Sequence, residues 1–282
     1  MIKKEVNEKN YTKAYIITVI LLTWLATISL FINPSTGLKY FSLVMFIPAI
    51  SAVVFNLIGH RSLKEQLGCF TRRLNLKSVA FGILYPIIFI VVCAFILCIT
   101  GAAKLNPNHE DISVVKEIII IIVTVLVNSV LGVLGEEYGW RGYLLPELTK
   151  SKGKIKATII VGIVWALFHV PAVFLLAKTT GIANPFAICI IQAAVVIIFS
   201  FPFSYCYYLS GNLIPVLLFH SIWDVVNTTI LGNIYVNKPG MVVGKLLYIN
   251  GEGVTGFILG VVLVYWFIKQ FKKCNDKNFL EF

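Results

Sequence analysis

Glu136, Glu137, Arg141, His169, His220 and Asp224 are of the types that move protons, bind metals or stabilise charge. All six sit inside stretches that otherwise read as lipid-spanning helix. A charged side chain near mid-bilayer costs roughly 2.5–3.5 kcal/mol on insertion scales. The two glutamates, the arginine and the aspartate therefore oppose insertion by something on the order of 10 kcal/mol before any pairing. A scaffold that only had to stay in the membrane would not carry them. They read as one polar site buried within a helical bundle.

Spacing divides the labour among them. Neighbouring residues on a helix point about 100° apart, so Glu136 and Glu137 cannot share one role. Glu137 and Arg141 stand at i, i+4 with the acid nearer the N-terminus, the better order for an ion pair. That spacing assigns Glu137 to Arg141 as a buried structural pair and leaves Glu136 for the site. Gly132, Gly135, Gly139 and Gly142 give this helix a smooth face on which another backbone could pack closely. Pro171 follows His169 in Trp165-Ala-Leu-Phe-His169-Val-Pro171, cannot hydrogen-bond the Leu167 carbonyl, and is expected to bend the helix there. His220 and Asp224 are one turn apart, and Asn227 lies three residues further along the same stripe.

Two carboxylates with two imidazoles could activate water in two ways. Glu136 could act as general base with His169 helping to orient the water. Alternatively Glu136, His169 and His220 could hold Zn²⁺, which would acidify a bound water. The H-E-x-x-H signature is absent, so the metal version has no compact motif. Asp224 could instead hold His220 in one tautomer.

The elements that must position these groups follow from composition. The 282 residues are 58% hydrophobic and only 13% charged, with a mean hydropathy of +0.87. Soluble domains carry about 25% charged residues, so this chain reads as all-α and polytopic in a membrane. Eight segments are long enough to span a ~30 Å hydrocarbon core. They run over about 14–33, 40–59, 78–102, 117–145, 157–178, 186–209, 213–232 and 254–270, the fourth being overlong. The retained first span, rather than a signal peptide, is expected because its apolar run is too long for an h-region. No linker or repeat is visible, so residues 1–282 are expected to form a single membrane domain, with residues 130–230 as the core that carries the chemistry. The net charge of +11 comes from basic residues between apolar runs, which is a topology signal and not a nucleic-acid footprint. Of the 24 Lys and Arg, 18 fall on one set of alternate segments and 6 on the other, placing both termini in the cytoplasm. Measured from the cytoplasmic ends, Glu136, His169, His220 and Asp224 then share a layer about 10–18 Å deep. Cys69, Cys93, Cys98, Cys189, Cys206 and Cys274 contain no C-x-x-C pair and read as small buried hydrophobes.

Glu136-Glu137-x-x-x-Arg141, then an aromatic-x-x-x-His169, then His220-x-x-x-Asp224, resembles the CAAX prenyl protease and bacteriocin-processing (CPBP, or Abi) family of intramembrane proteases. The resemblance rests on three motifs in order over about residues 130–230, and the eight-span layout is similar too. It implies a multi-pass cell-membrane peptidase that hydrolyses a peptide bond near the cytoplasmic face. It further implies that Glu136 and His169 activate water, that His220 and residue 224 stabilise the oxyanion, and that Glu137 and Arg141 support them. Both metal-dependent and glutamate mechanisms are associated with that family, so zinc stays an open expectation. Position 224 is Asp where the prenyl-protein proteases have Asn. An ionised carboxylate would repel an oxyanion, which makes Asn227 a candidate replacement donor. The substrate expected is a peptide or membrane protein: a CAAX-type peptide, a leader peptide or a bacteriocin-related one, the Lys- and Ile-rich composition pointing to a bacterium. Two other classes stay open, a proton- or ion-coupled transporter and a non-catalytic peptide-binding or immunity protein.

Overall fold

Short polar caps turn the apolar runs into helices with defined starts. The computed structural model describes residues 2–108 and 114–274, with side chains described from residue 11 on and none at 114. Some basic residues counted for orientation, at 1–10 and 275–282, therefore lie outside the described side chains.

Helix α1 (Ile2–Leu30) is followed by α2 (Pro34–Tyr40), whose first turn is capped by Asn33 with proline at the next position. A 3₁₀ turn at Phe41–Phe46 leads into α3 (Ile47–Ile58). Ser62 and Glu65 then form a reciprocal capping box that starts α4 (Leu63–Thr71), and Asn75 caps α5 (Leu76–Ile99). After α6 (Val114–Leu131) the chain breaks at Gly132–Val133 and resumes as α7 (Leu134–Glu137), a π-helical turn at Tyr138–Leu144, and α8 (Leu145–Lys152). The overlong fourth span expected from the sequence is thus two legs bent by 45°. Gly153, at φ 74°, joins α8 to α9 (Lys154–Thr179), a left-handed backbone that glycine adopts without strain. Helices α10 (Pro185–Tyr208), α11 (Ile214–Ile230), the single turn α12 (Leu246–Ile249) and α13 (Val254–Phe271) complete the bundle. Strands β1 (Lys104–Leu105) and β2 (Val242–Val243) pair antiparallel and tie the α11–α12 segment to the end of α5.

Among the described residues six helices are long and apolar enough to cross a membrane, the bent pair makes a seventh, and α11 is a shorter apolar helix of 17 residues. The protein is an all-α, multi-pass membrane protein. Large side chains such as Leu25, Ile122, Leu126 and Val262 lie outside the bundle where lipid tails would solvate them.

Three contacts bear on the site. First, α10 packs against both α9 and α11, and the Trp165 ring of α9 meets the His220 ring of α11 at 5.6 Å, which brings the polar residues of the two helices together. Second, the expected smooth glycine face is partly used. A Cβ at Gly135 would come within 2.5 Å of the Met45 carbonyl oxygen, and one at Gly139 within 2.7 Å of the Tyr15 hydroxyl. At Gly132 the nearest atoms belong instead to Asn128 of its own preceding turn, and at Gly142 to Tyr138 and to Cys69 of α4. Third, α9 runs unbroken through Pro171. The Leu167 carbonyl that proline leaves without a donor accepts the Trp24 indole N–H of α1 at 2.9 Å. Trp24→Phe is expected to lower stability by about 1 kcal/mol, because that carbonyl would face hydrocarbon unpaired. Thermal unfolding in micelles checks this, an unchanged midpoint counting against the cap.

Cys98 is exposed and Cys274 partly so, against the expectation that all six cysteines are buried, while the other four are buried.

Candidate active site

Glu136 sits on α7, directly after the break that tilts this leg away from α6, and is 5% exposed. Its Oε2 accepts the Trp165 indole N–H at 2.7 Å and faces the Trp140 indole N–H at 3.5 Å. His169 Nε2 lies 3.7 Å from the same oxygen, too far for a direct hydrogen bond and a suitable distance for a bridging water. No described residue bonds Oε1, and Glu136 lines a cavity of about 340 Å³. His169 Nδ1 is 3.1 Å from the Trp165 carbonyl. A carbonyl only accepts, so Nδ1 carries the proton and Nε2 of the neutral ring is left as an acceptor. Two acceptors, one carboxylate and one imidazole, thus converge with space between them. A water molecule, with two protons to donate, is the complement to that pair.

Glu137 points elsewhere. It is fully buried, and its Oε1 accepts both the Arg141 Nη1–H and the His220 Nδ1–H, each at 2.8 Å. The i, i+4 pair expected with Arg141 is present, and His220 joins it. Arg141 is itself fully buried and sandwiched between rings, with its guanidinium carbon 4.2 Å from the Trp165 centroid and 4.7 Å from that of Phe203. The group that fixes the His220 ring is therefore Glu137, not Asp224 as one sequence reading had it. Asp224 stands 3.7 Å from the opposite nitrogen, Nε2.

Asp224 lines the cavity and accepts the Asn128 amide N–H at 3.0 Å. Asn227, expected as a spare oxyanion donor, is committed elsewhere. Its amide donates to Asn250 Oδ1 at 3.1 Å and its carbonyl accepts the Gly251 N–H at 3.0 Å, pinning the α12–α13 loop. Asn227 lines the same cavity as Asp224, but one turn further along α11 its amide is engaged where the helix meets that loop.

Sequence reasoning passed over Asn128, Tyr235 and Glu252, which also line the cavity. Asn128 carried a signal, as an amide within an Ile- and Val-rich run. Tyr235 and Glu252 carried none, since they belong to a connecting segment without periodicity. Trp223 N–H donates to Glu252 Oε1 at 3.2 Å, and the Tyr235 hydroxyl donates to Glu252 Oε2. Burial, and then the neighbouring Glu252 carboxylate, push the Tyr235 phenol far above its ordinary pKa, so that proton stays in place.

Among the described residues no three His, Cys, Asp or Glu side chains are grouped so as to hold one metal ion. Of the zinc candidates, His169 and His220 each turn Nδ1 to a carbonyl or carboxylate and keep Nε2 available, as metal-binding histidines do, and Glu136 lies 3.7 Å from the first of these nitrogens. What the described residues do not supply is a third donor gathered with them, which a tetrahedral zinc centre requires.

Residues 118–226 match the family described as type II CAAX prenyl endopeptidase Rce1-like. A CAAX prenyl protease 2 of Methanococcus maripaludis is 42% identical over 52 residues, 18% of this chain. That match spans 19% of the relative's length, about a fifth. The segment carrying the three motifs is thus similar to that family, in line with the resemblance of its motifs.

Proposed function

We propose that this protein is an intramembrane endopeptidase in which Glu136 is the general base. The observation that carries the reading is the convergence of Glu136 and the Nε2 of His169 on one cavity, 3.7 Å apart and both acceptors. A water donating to both would lie with its lone pair toward a peptide carbonyl in the cavity. Its attack passes one proton to Glu136, which then hands it to the leaving amine. Trp165 and Trp140 hold the Glu136 carboxylate in place during that exchange. The oxyanion is met by His220, whose Nδ1–H is anchored on Glu137 and whose Nε2, when protonated, donates to the new charge. Asp224 flanks that nitrogen and, held by Asn128, offsets the charge of the imidazolium. No step needs a metal.

Both termini are assigned to the cytoplasm from the uneven spread of Lys and Arg, and the site then opens near the cytoplasmic half of the bilayer. The substrate is a membrane-partitioned peptide or protein segment, with CAAX-type, leader and bacteriocin-related peptides as the candidate classes. The transporter alternative asks for broken helices in two equivalent halves, and among the described residues one bent pair is found.

The test is hydrolysis by the purified full-length protein in micelles, read by mass spectrometry on a library of internally quenched apolar peptides. Cleavage is expected, and it should persist after exhaustive dialysis against a chelator, with less than a roughly twofold loss. A protein that cuts nothing overturns the peptidase reading. One whose activity disappears on chelation and returns with Zn²⁺ overturns the metal-free mechanism.

A further inference from the structure

The cavity is closed on one side by the segment between α11 and α13, which lies beyond the residues that match the family. That segment delivers Tyr235 and Glu252 to the cavity wall. Trp223 and Tyr235 each donate to one oxygen of the Glu252 carboxylate, which orients it. Gln192 is only 2% exposed, lines the cavity, and its Oε1 has no hydrogen-bond partner.

The lining is one-sided in charge. Glu136, Asp224 and Glu252 contribute three carboxylates, His169 and His220 two imidazoles, and no lysine or arginine is among the described residues that line it. Four donors at the wall are already directed at these carboxylates, at Glu136 from Trp165, at Asp224 from Asn128 and at Glu252 from Trp223 and Tyr235. What remains unspent is acceptor capacity: the second lone pairs of the Glu252 oxygens and the orphaned Gln192 Oε1. A wall of that kind is complementary to a group with several N–H donors and a positive charge. A free carboxylate placed there would meet like charge.

We propose that Glu252 and Gln192 form the acceptor wall of a subsite that takes a lysine or arginine side chain of the peptide substrate, beside the bond to be cut. This rests on the peptidase reading above and adds a specificity to it. Glu252 acts on the rate through substrate binding and takes no part in activating water.

The probes are internally quenched apolar peptides carrying lysine, arginine, norleucine or glutamate at each position in turn, assayed on the full-length protein in micelles. Wild type is expected to prefer lysine or arginine over norleucine at one position by a ratio on the order of 10–100, the span of one charged hydrogen bond. Glu252→Gln should collapse that ratio, mostly through KM, and Gln192→Leu should reduce it. A wild type that cuts without basic preference, or a preference untouched by Glu252→Gln, overturns the subsite while the peptidase reading stands. If nothing is cut, the peptidase reading fails, and Trp223 and Trp165 fluorescence titrations with the same peptides decide the subsite alone. A lysine-over-norleucine affinity ratio lost in Glu252→Gln supports it there, and equal affinities overturn it.

Discussion

Replacing Glu136 by glutamine is expected to lower peptide cleavage by roughly 10²–10⁴-fold, the usual contribution of a positioned general base. The substitution removes the base and little else. A glutamine carbonyl can still accept the Trp165 indole N–H that lies at 2.7 Å, and the side chain keeps its size. Removing a buried negative charge also relieves its desolvation, so the unfolding midpoint should hold or rise. Glu136→Ala would be a poorer test, because it leaves the Trp165 N–H buried without a partner at a cost of about 1–3 kcal/mol. The measurement is kcat/KM on one cleavable peptide beside thermal unfolding of the same sample. Undiminished turnover in a folded Glu136→Gln protein would remove the catalytic assignment. If cleavage is lost while peptide binding and any protective effect remain, binding and chemistry are separable at this one carboxylate.

The second large effect concerns stability. Arg141→Met is expected to destabilise the protein by about 3–5 kcal/mol, the range for removing one partner of a buried ion pair. Both members of that pair are fully buried, and without the guanidinium the Glu137 carboxylate would keep only His220 as a partner. Arg141→Lys should recover little of the loss. An ammonium cannot lie flat between the Trp165 and Phe203 rings as the guanidinium does. The double variant Glu137→Gln with Arg141→Met should regain much of the stability, because no uncompensated charge is then left in the core. It should remain inactive, since His220 loses the carboxylate that anchors Nδ1. Unfolding in bicelles and the same cleavage assay check both halves. A near-neutral Arg141→Met would show that the pair contributes nothing to folding.

The sequence made the chemistry more legible than the architecture that holds it. Periodicity alone separates Glu136 from Glu137, and the two do face different partners, Trp165 on one side and Arg141 with His220 on the other. Residue spacing also brought the Glu136, His169 and Asp224 layers to one depth, and all three line one cavity. The break at Gly132–Val133 was hidden because glycine and valine are both ordinary in apolar helices, and only packing against Met45 and Phe46 gives the second leg its direction. The partner of His220 was misjudged for a related reason. Asp224 is near in sequence on the same helix, whereas Glu137 reaches it across a helix interface that no local pattern encodes. Glu252 was out of reach altogether, because a loop that folds back into a cavity is a tertiary event without a repeat to announce it.

The π-helical turn at Tyr138–Leu144 makes the constellation depend on the winding of the backbone as well as on residue identity. That turn holds a wider loop of backbone than an α-helix does, as if one residue had been spliced in between the paired acids and the buried start of α8. Closing that stretch to a regular α-helix with all its residues kept would swing Glu136 and Glu137 through about 100° relative to Leu145 and Leu148, whereas excising one residue as it closed would leave them in register. A homologue with a regular helix here could thus keep every polar side chain named above and still be silent, its alphabet intact and its reading frame in space shifted by one.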